Sequence, residues 1–335
     1  ISSWTLNSAQ GKADGSGIKL TGSTSPLQAV STATKNSVFG PLTSNPPVNI
    51  GANRRGFWKP DGSRYYYPTS NTAATQYDLS TAFDLSSTLT SAGSTTLSQY
   101  STGIWLDATG TYMTSGNFSG TELYRLHTLT TPWDISTASQ TSSSSGHSYA
   151  AGYNPGKMVI SGDGKNAMYW HLGMSTASYE NRWVAYGIMT TAWDLSTLSF
   201  QNYYNKGDFG YTGSDHPNNF EFAWNVDGSR FYTLCSSTGT NGSTTNGKLL
   251  KEFTQGSNPA NVWDLGDPGT LNQVSQLDLS TIQSNYGNEV WAMCLADNDT
   301  KMIIEYNDGG VYSLVINLNS AESSSHPYNV YSPAV

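Results

Sequence analysis

Charged side chains are scarce in this sequence, and the scarcity limits both its fold and its partners. Lys, Arg, Asp and Glu make up 12% of the 335 residues, whereas an average soluble protein carries about 25%. Long amphipathic helices need charged residues on their solvent faces, so a helical fold is disfavoured. The formal net charge is −8, and no basic cluster exceeds Arg54-Arg55. A nucleic-acid partner is therefore not expected.

Cysteines and long apolar runs are also few. Cys235 and Cys294 are the only cysteines, and both stand in apolar runs, so we expect buried free thiols rather than a disulfide framework. No apolar run approaches the ~20 residues that a membrane-spanning helix needs. Because the five histidines are scattered and no nucleotide-binding or metal-binding motif is present, no cofactor and no metal are expected. The chain begins at Ile1, as expected of a processed product, an excised region or a partial sequence.

Strand-forming and turn-forming residues take the place of the missing charges. The sequence contains 21 Tyr, 10 Trp and 33 Gly, together with many Ser, Thr and Asn residues. Aromatic and β-branched residues favour strands, while Gly, Asn, Asp and Ser favour turns. The composition predicts an all-β fold made of many short strands.

One phrase, an aromatic residue followed by Asp and then Leu or Ile, recurs four times along the chain. Each copy follows a segment that reads as a strand. The aromatic and aliphatic side chains are expected to pack inward, while the short carboxylate caps the backbone of the next turn. Recurrence favours a structural role over a catalytic one. The aspartates concerned are Asp84, Asp134, Asp194 and Asp264.

A second phrase, a hairpin, precedes the first by a few dozen residues and recurs five times. GFWKPDGSRYYY from Gly56 is an example. Asp-Gly or a relative of it stands at each turn, which is a strong hairpin signal between apolar runs. Two adjacent apolar columns precede the turn, as expected of strands that are buried on both faces. Asp297-Asn298-Asp299 occupies the turn column of the last copy, so a hairpin turn is favoured there over a calcium loop.

Together the phrases predict units of four antiparallel strands stacked radially as a β-propeller. Five blades are visible and a sixth is left open. We assign residues 50–335 to the propeller and residues 1–49 to an N-terminal arm that includes a candidate closing strand. Trp4–Ala9 resembles part of the aromatic-Asp phrase and is a candidate for that strand.

The two phrases in fixed order resemble the propeller repeats of phage virion and marine bacterial surface proteins. YDLSTAFDLSS and LTTPWDISTAS carry the likeness, which covers roughly residues 50–320. The resemblance implies a non-catalytic structural or attachment protein, extracellular or on a virion surface. Its implied partners are other virion or surface proteins, with a cell-surface glycan or receptor as a further candidate.

The alternative is a secreted propeller glycoside hydrolase that uses paired carboxylates in the central funnel. Candidate acids near the starts of the inner strands are Glu221, Glu289 and Asp215, and Arg54 and Arg55 are candidate partners. The sequence shows no distinctive acidic motif at these positions. The prediction is therefore that the protein is not an enzyme.

One segment, residues 201–220, interrupts the repeat and is rich in aromatic, amide and acidic side chains. Such side chains suit glycan recognition, because aromatic faces stack on sugar rings and amides or carboxylates bond hydroxyls. The other interpretation is a long loop whose aromatics pack down onto the propeller. The candidate ligand-binding residues are Tyr203, Tyr204, Phe209, Tyr211 and Asp215.

Overall fold

The computed structural model of the protein describes the strands and turns of the repeats in detail. The ranges described are 11–13, 18–20, 35–39, 55–70, 72–85, 87–97, 103–116, 124–144, 157–170, 184–205, 207–213, 220–235, 238–239, 242–245, 249–254, 263, 265, 271–279, 289–296, 299–307 and 311–318.

Almost all regular structure in these ranges is β-strand. The strands, in chain order, are β1 (Gly11–Ala13), β2 (Ile18–Leu20), β3 (Lys35–Phe39), β4 (Phe57–Trp58), β5 (Arg64–Ser70), β6 (Ala73–Leu79), β7 (Leu89–Thr96), β8 (Ile104–Leu106), β9 (Tyr112–Gly116), β10 (Tyr124–Leu129), β11 (Ala138–Ser143), β12 (Met158–Ile160), β13 (Asn166–Trp170), β14 (Val184–Met189), β15 (Leu198–Tyr204), β16 (Thr212–Gly213), β17 (Phe220–Trp224), β18 (Arg230–Cys235), β19 (Thr238–Gly239), β20 (Gly242–Thr245), β21 (Leu249–Thr254), β22 (Asn272–Asp278), β23 (Glu289–Ala296), β24 (Lys301–Asn307) and β25 (Val311–Asn317). Among the described residues, no helix has the length and apolar character needed to cross a bilayer.

Five four-stranded antiparallel sheets form the blades. Their strand orders are β4-β5-β6-β7, β8-β9-β10-β11, β12-β13-β14-β15, β17-β18-β21-β22 and β23-β24-β25-β3. The first strands of neighbouring sheets lie against one another: β8 contacts β4 and β12, and β23 contacts β4 and β17. These first strands are therefore the inner strands around a central axis. The protein is a five-bladed β-propeller, and the predicted fold class is confirmed.

An N-terminal strand closes the ring by completing the fifth blade. Strand β3 pairs antiparallel with β25, with Ser37 opposite Val315. The candidate closing segment Trp4–Ala9 lies outside the described residues. Strands β1 and β2 form a separate two-stranded sheet, and no sixth four-stranded sheet occurs in the part of the chain that the structure describes.

The two repeated phrases meet inside each of the first four blades. Trp133 donates its backbone N–H to the carbonyl of Gly110 at 2.9 Å, and its ring covers that glycine so closely that a Cβ there would lie 2.4 Å from the ring. Gly110 has a φ of +71°, and Trp133 has a φ of 64°. Left-handed backbone suits glycine and is costly for an aromatic residue, so tertiary packing holds Trp133 there. The equivalent ring-over-glycine pairs are Phe83 with Gly62, Trp193 with Gly164 and Trp263 with Gly228.

The repeated aspartates cap short 3₁₀ turns. Asp134 accepts a hydrogen bond from the backbone N–H of Ser136 at 3.0 Å, at the start of the turn Ile135–Thr137. Asp194 accepts from Ser196 in the same way, also at 3.0 Å. In the first blade the backbone carbonyl of Asp84 accepts from Ser87. Asp264 lies outside the described residues.

The core lies between the blades and combines aromatic with aliphatic side chains. Trp58 and Trp224, which the hairpin columns place on inner strands, are buried, while Trp105 keeps part of its surface exposed. Cys235 and Cys294 are buried free thiols, as predicted. Apolar side chains on both faces of the blades explain why single blades need their neighbours.

Candidate functional site

A cavity of about 110 Å³ lies on the axis at the hairpin ends of the inner strands. Each of the five blades lends it an apolar side chain, and these are Phe57, Trp105, Val159, Trp224 and Leu295. All five residues belong to the apolar columns that precede the hairpin turns. Trp133 and Trp263 of the other repeated phrase also line it. The cavity is thus walled mainly by apolar side chains, five of them aromatic, and has room for several water molecules.

Two carboxylates lie at the hairpin rim of this cavity, and their situations differ. Asp107 accepts hydrogen bonds from the backbone N–H groups of Thr111 at 2.8 Å and Tyr112 at 2.7 Å. Its carboxylate is therefore engaged within its own turn. Asp299 stands where the other blades have the turn glycine, with a φ of 63°. Its Oδ2 accepts from the backbone N–H of Val226 in the preceding blade at 2.9 Å. Burial raises the pKa of Asp299 to about 6.

A buried ion cluster lies deeper, at the starts of the inner strands. Glu221 is fully buried, and its Oε1 accepts from the guanidinium of Arg55 at 2.5 Å. Its Oε2 lies 2.9 Å from Nζ of Lys157, although this ion pair lacks the alignment of a hydrogen bond. Lys157 donates to the backbone carbonyl of Met293 at 2.5 Å and also lines the cavity. The cluster joins residues of four blades, and two of its members, Lys157 and Met293, line the cavity.

A second buried carboxylate, Glu305, stands at the seam between the last blade and the first. It accepts hydrogen bonds from Trp58 Nε1 at 3.0 Å and from the hydroxyl of Tyr65 at 3.2 Å. Burial raises the pKa of Glu305 to about 7, and the nearby carboxylate of Glu221 adds to the rise. Burial likewise raises the pKa of the neighbouring Cys294 thiol to about 12, so this thiol is not an activated nucleophile.

Most candidate glycan-binding aromatics of the 201–220 segment are core residues. Tyr204, Phe209 and Tyr211 are each 0% exposed, and the hydroxyl of Tyr211 bonds the backbone carbonyl of Thr233 at 3.0 Å. A buried ring has no free face for a sugar. These three residues therefore pack in the core, which corrects their assignment as ligand-binding residues. Their burial follows from the apolar layer between the third and fourth blades, which they fill.

Lys251 of β21 attaches this segment to the fourth blade by hydrogen bonds. It donates to the backbone carbonyls of Phe209 and Gly210, each at 2.8 Å, and lies over the ring of Tyr211. Tyr203 alone of the candidate aromatics keeps exposed surface, where it stacks on Phe200 with ring centroids 3.8 Å apart. Asp215 lies outside the described residues.

The candidate catalytic acids are not arranged as a solvent-facing pair in the described residues. Glu221 and Arg55 do meet, as partners in the buried ion cluster. Glu289 begins strand β23, and its side chain is outside the description, as are Arg54 and Asp215. Elsewhere, Ser115 Oγ lies 3.0 Å from Nε2 of His127. Both residues are buried inside a blade, and burial lowers the pKa of His127 to about 4.

Sequence reasoning missed Lys157, although a signal was present. Arg55, Lys157 and Glu221 each stand two residues before a member of one apolar column, namely Phe57, Val159 and Ala223. Because side chains alternate between faces along a strand, residues two apart share a face. The three charges therefore face the axis, and the register of the hairpins places them at one level.

No protein-family model matches the chain, and no curated protein matches it. Its fold is similar to the β-propeller domain of Cps50 (Swd1) from Myceliophteria thermophila, with a TM-score of 0.39 and 12% identity over 78% of this chain and 68% of that one. A functionally unknown protein from Desulfotomaculum acetoxidans has a TM-score of 0.37 and 15% identity to this chain. The match covers 67% of this chain and 62% of that protein, which is less than two thirds of that protein's length. Hydrazine synthase from Kuenenia stuttgartiensis has a TM-score of 0.38 and 14% identity to this chain. The match covers 81% of this chain and 75% of that one. The fold assignment rests on the strand topology described above.

Proposed function

We propose that this protein is a non-catalytic attachment protein of a virion or cell surface that holds one sugar unit of a glycan in the axial cavity. The observation that carries the proposal is the composition of that cavity, where aromatic rings from several blades surround a small number of polar groups. Ligand sites are typically concave, mostly apolar and fitted with a few placed polar groups. Sugar rings suit such a site because their C–H faces stack on aromatic rings while their hydroxyls bond carboxylates.

The state of the buried acids supports binding rather than hydrolysis. A glycosidase needs one carboxyl group as an acid and another as a base or nucleophile, both facing the scissile bond. Glu221 faces two cations instead, and Glu305 faces a tryptophan and a tyrosine. Propeller glycosidase activity stays the alternative, and release of reducing ends from a polysaccharide panel is its test.

An attachment role also suits the size of the cavity. A site for one sugar unit binds weakly, so useful adhesion requires several copies on one particle. The proposed partners are therefore other virion or surface proteins, which would array the propeller outside the cell. The resemblance of the repeats to those of phage and marine bacterial surface proteins agrees with this proposal.

The test compares two partly exposed aromatic residues on a glycan array. Trp105 lines the cavity, whereas Tyr203 lies on the outermost strand of the third blade. Trp105→Ala is expected to lose about 1–3 kcal/mol of binding free energy, as is typical when a stacking aromatic is removed. Tyr203→Ala is the matched control and should bind like the parent. Loss of binding only in Tyr203→Ala would move the site to the outer strand and contradict the proposal.

A further inference from the structure

A tryptophan in the wall of the axial cavity has an indole N–H group without a partner in the described residues. Trp224 lines the cavity and is only 6% exposed, and its Nε1 is buried without a hydrogen-bond acceptor. Its ring packs against those of Phe231 and Trp263, each with ring centroids 4.9 Å apart. A buried indole N–H usually has a partner, because leaving it unpaired costs free energy. A ligand that brings an acceptor to this indole relieves that cost.

Asp299, from the following blade, supplies an acceptor on the same wall. Its Oδ2 accepts from the backbone N–H of Val226, which lies two residues after Trp224 and also lines the cavity. This hydrogen bond joins the two hairpins at the cavity rim. No described residue donates to Oδ1 of Asp299, so one oxygen of this carboxylate is available to a ligand that carries an N–H or O–H group.

The other charged and amide side chains that line the cavity are engaged by the protein itself. Asp107 accepts from backbone N–H groups of its own turn. The amide of Asn225 donates to Asp227 of its own hairpin. Lys157 contacts a backbone carbonyl, a carboxylate and an aromatic ring. The indole N–H and the carboxylate oxygen described above therefore remain for a ligand, in a wall that is otherwise mainly apolar.

We infer that the cavity recognises an acetamido sugar of the N-acetylhexosamine class, whose amide carbonyl accepts from Trp224 and whose amide N–H donates to Asp299. The inference rests on the proposed function and names the class of sugar. An acetamido group takes up about the space of a few water molecules, which the cavity provides. Its methyl end suits the apolar wall. A hexose without this group would bury a hydroxyl against that wall, which is costly where the hydroxyl lacks partners.

The first experiment changes the ligand and leaves the protein intact. Isothermal titration of the full chain compares N-acetylglucosamine with glucose and N-acetylgalactosamine with galactose. We expect at least one acetamido sugar to bind tighter than its parent sugar by about tenfold or more, the usual range for a hydrogen bond to a charged group. Equal affinities within both pairs would overturn this inference and leave the proposed function standing. Failure of all four sugars to bind would overturn both.

Nuclear magnetic resonance tests the donor directly. The indole N–H signal of Trp224 is the one that disappears in Trp224→Phe, which keeps an aromatic ring at this position. The tighter-binding acetamido sugar should shift this signal downfield in the parent protein, whereas its parent sugar should not. N-methylacetamide, an amide without a sugar ring, should bind much more weakly. An unmoved signal would overturn the role of Trp224, and equally tight binding of N-methylacetamide would overturn the sugar class in favour of a peptide ligand.

A matched pair of variants tests the acceptor. Asp299→Asn keeps an oxygen for Val226 but presents an NH₂ group to the amide N–H of the sugar, and Asn tolerates left-handed backbone. The preference for the acetamido sugar should therefore disappear. Asp227 accepts from Ser229 in the neighbouring hairpin turn and does not line the cavity, so Asp227→Asn should keep the preference. A folded Asp299→Asn protein with the parent's preference would overturn the assignment of the acceptor.

Discussion

In this propeller the hairpin glycines and the aromatic residues of the aromatic-Asp phrase pack directly against each other. Each of these glycines has left-handed backbone and lies beneath an aromatic ring from the other repeated phrase. The turn between the third blade's first two strands contains two glycines with different surroundings. Gly164 has a φ of +72° and a tryptophan ring over it, whereas a Cβ on Gly162 would meet nothing within 4 Å.

This turn offers a matched pair of substitutions. Gly164→Ala should lower the free energy of unfolding by about 2–4 kcal/mol, because it adds left-handed strain to overpacking against Trp193. Gly162→Ala should change it by less than about 0.5 kcal/mol. Urea unfolding monitored by tryptophan fluorescence measures both. Equal effects of the two substitutions would show that the ring contact does not constrain the turn.

The turn aspartates give a second prediction at the same scale. Asp194 accepts from the backbone N–H and the hydroxyl of Ser196. Asp194→Asn keeps an acceptor oxygen and should cost little, whereas Asp194→Ala should cost about 1 kcal/mol, as for other lost caps. Thermal melts of the two variants test the difference. An Asn variant as unstable as the Ala variant would show that charge, rather than capping, is needed.

At the scale of elements, the fifth blade is the one that the chain does not complete locally. Its outermost strand comes from residues 35–39, and its other three come from the C-terminal part of the chain. Without β3 the edge of β25 would expose unpaired backbone groups, which favours aggregation. Closure of this kind ties the two ends of the repeat region together.

Removal of the closing strand tests this arrangement. A chain that starts at residue 41 should have a lower urea midpoint than the full chain and should self-associate in light scattering. A synthetic peptide spanning residues 33–41 should restore both properties when added to the shortened chain. The same peptide with proline in place of Ser37 should not, because proline lacks the backbone donor for strand pairing. Full stability of the shortened chain without peptide would show that β3 is dispensable.

The repeats account for what could be predicted from sequence. The hairpin and aromatic-Asp phrases predicted the four strands of each of the first four blades, because both signals are local. They did not identify β3 as the closing strand, since its pairing partner is distant in sequence. They also left open the burial of Tyr204, Phe209 and Tyr211. Aromatic residues between polar ones form the same sequence pattern in a binding loop and in a core between two blades. The axial cavity exists only once five distant inner strands meet.

For the molecule as a whole, the seam at Glu305 makes stability depend on pH. Its pKa is about 7 in the folded chain against an ordinary value of 4.5, so the folded state binds more protons between these values. The contribution of Glu305 to stability should be largest below about pH 4.5, fall as the pH rises to about 7 and then level off, by up to a few kcal/mol. Urea midpoints measured from acidic to neutral pH test this dependence.

Substitution identifies the group responsible for that pH dependence. Glu305→Gln keeps an acceptor for Trp58 and should flatten the dependence between pH 4.5 and 7. Asp134→Asn is the control with the opposite sign. Hydrogen bonds from Ser136 lower the pKa of Asp134, so its contribution is lost only as the pH falls through the acid range. An unchanged slope in Glu305→Gln would show that another group titrates.

Closure by β3 also sets an order of events during synthesis. The strand is translated before the five hairpins, whereas its partner β25 is translated after them. At the roughly 5–20 residues per second of translation, β3 waits on the order of tens of seconds before it can pair. Four blades can assemble in that time, each from contiguous chain, while the ring stays open. The earliest strand of the propeller to be translated is therefore the last to be paired.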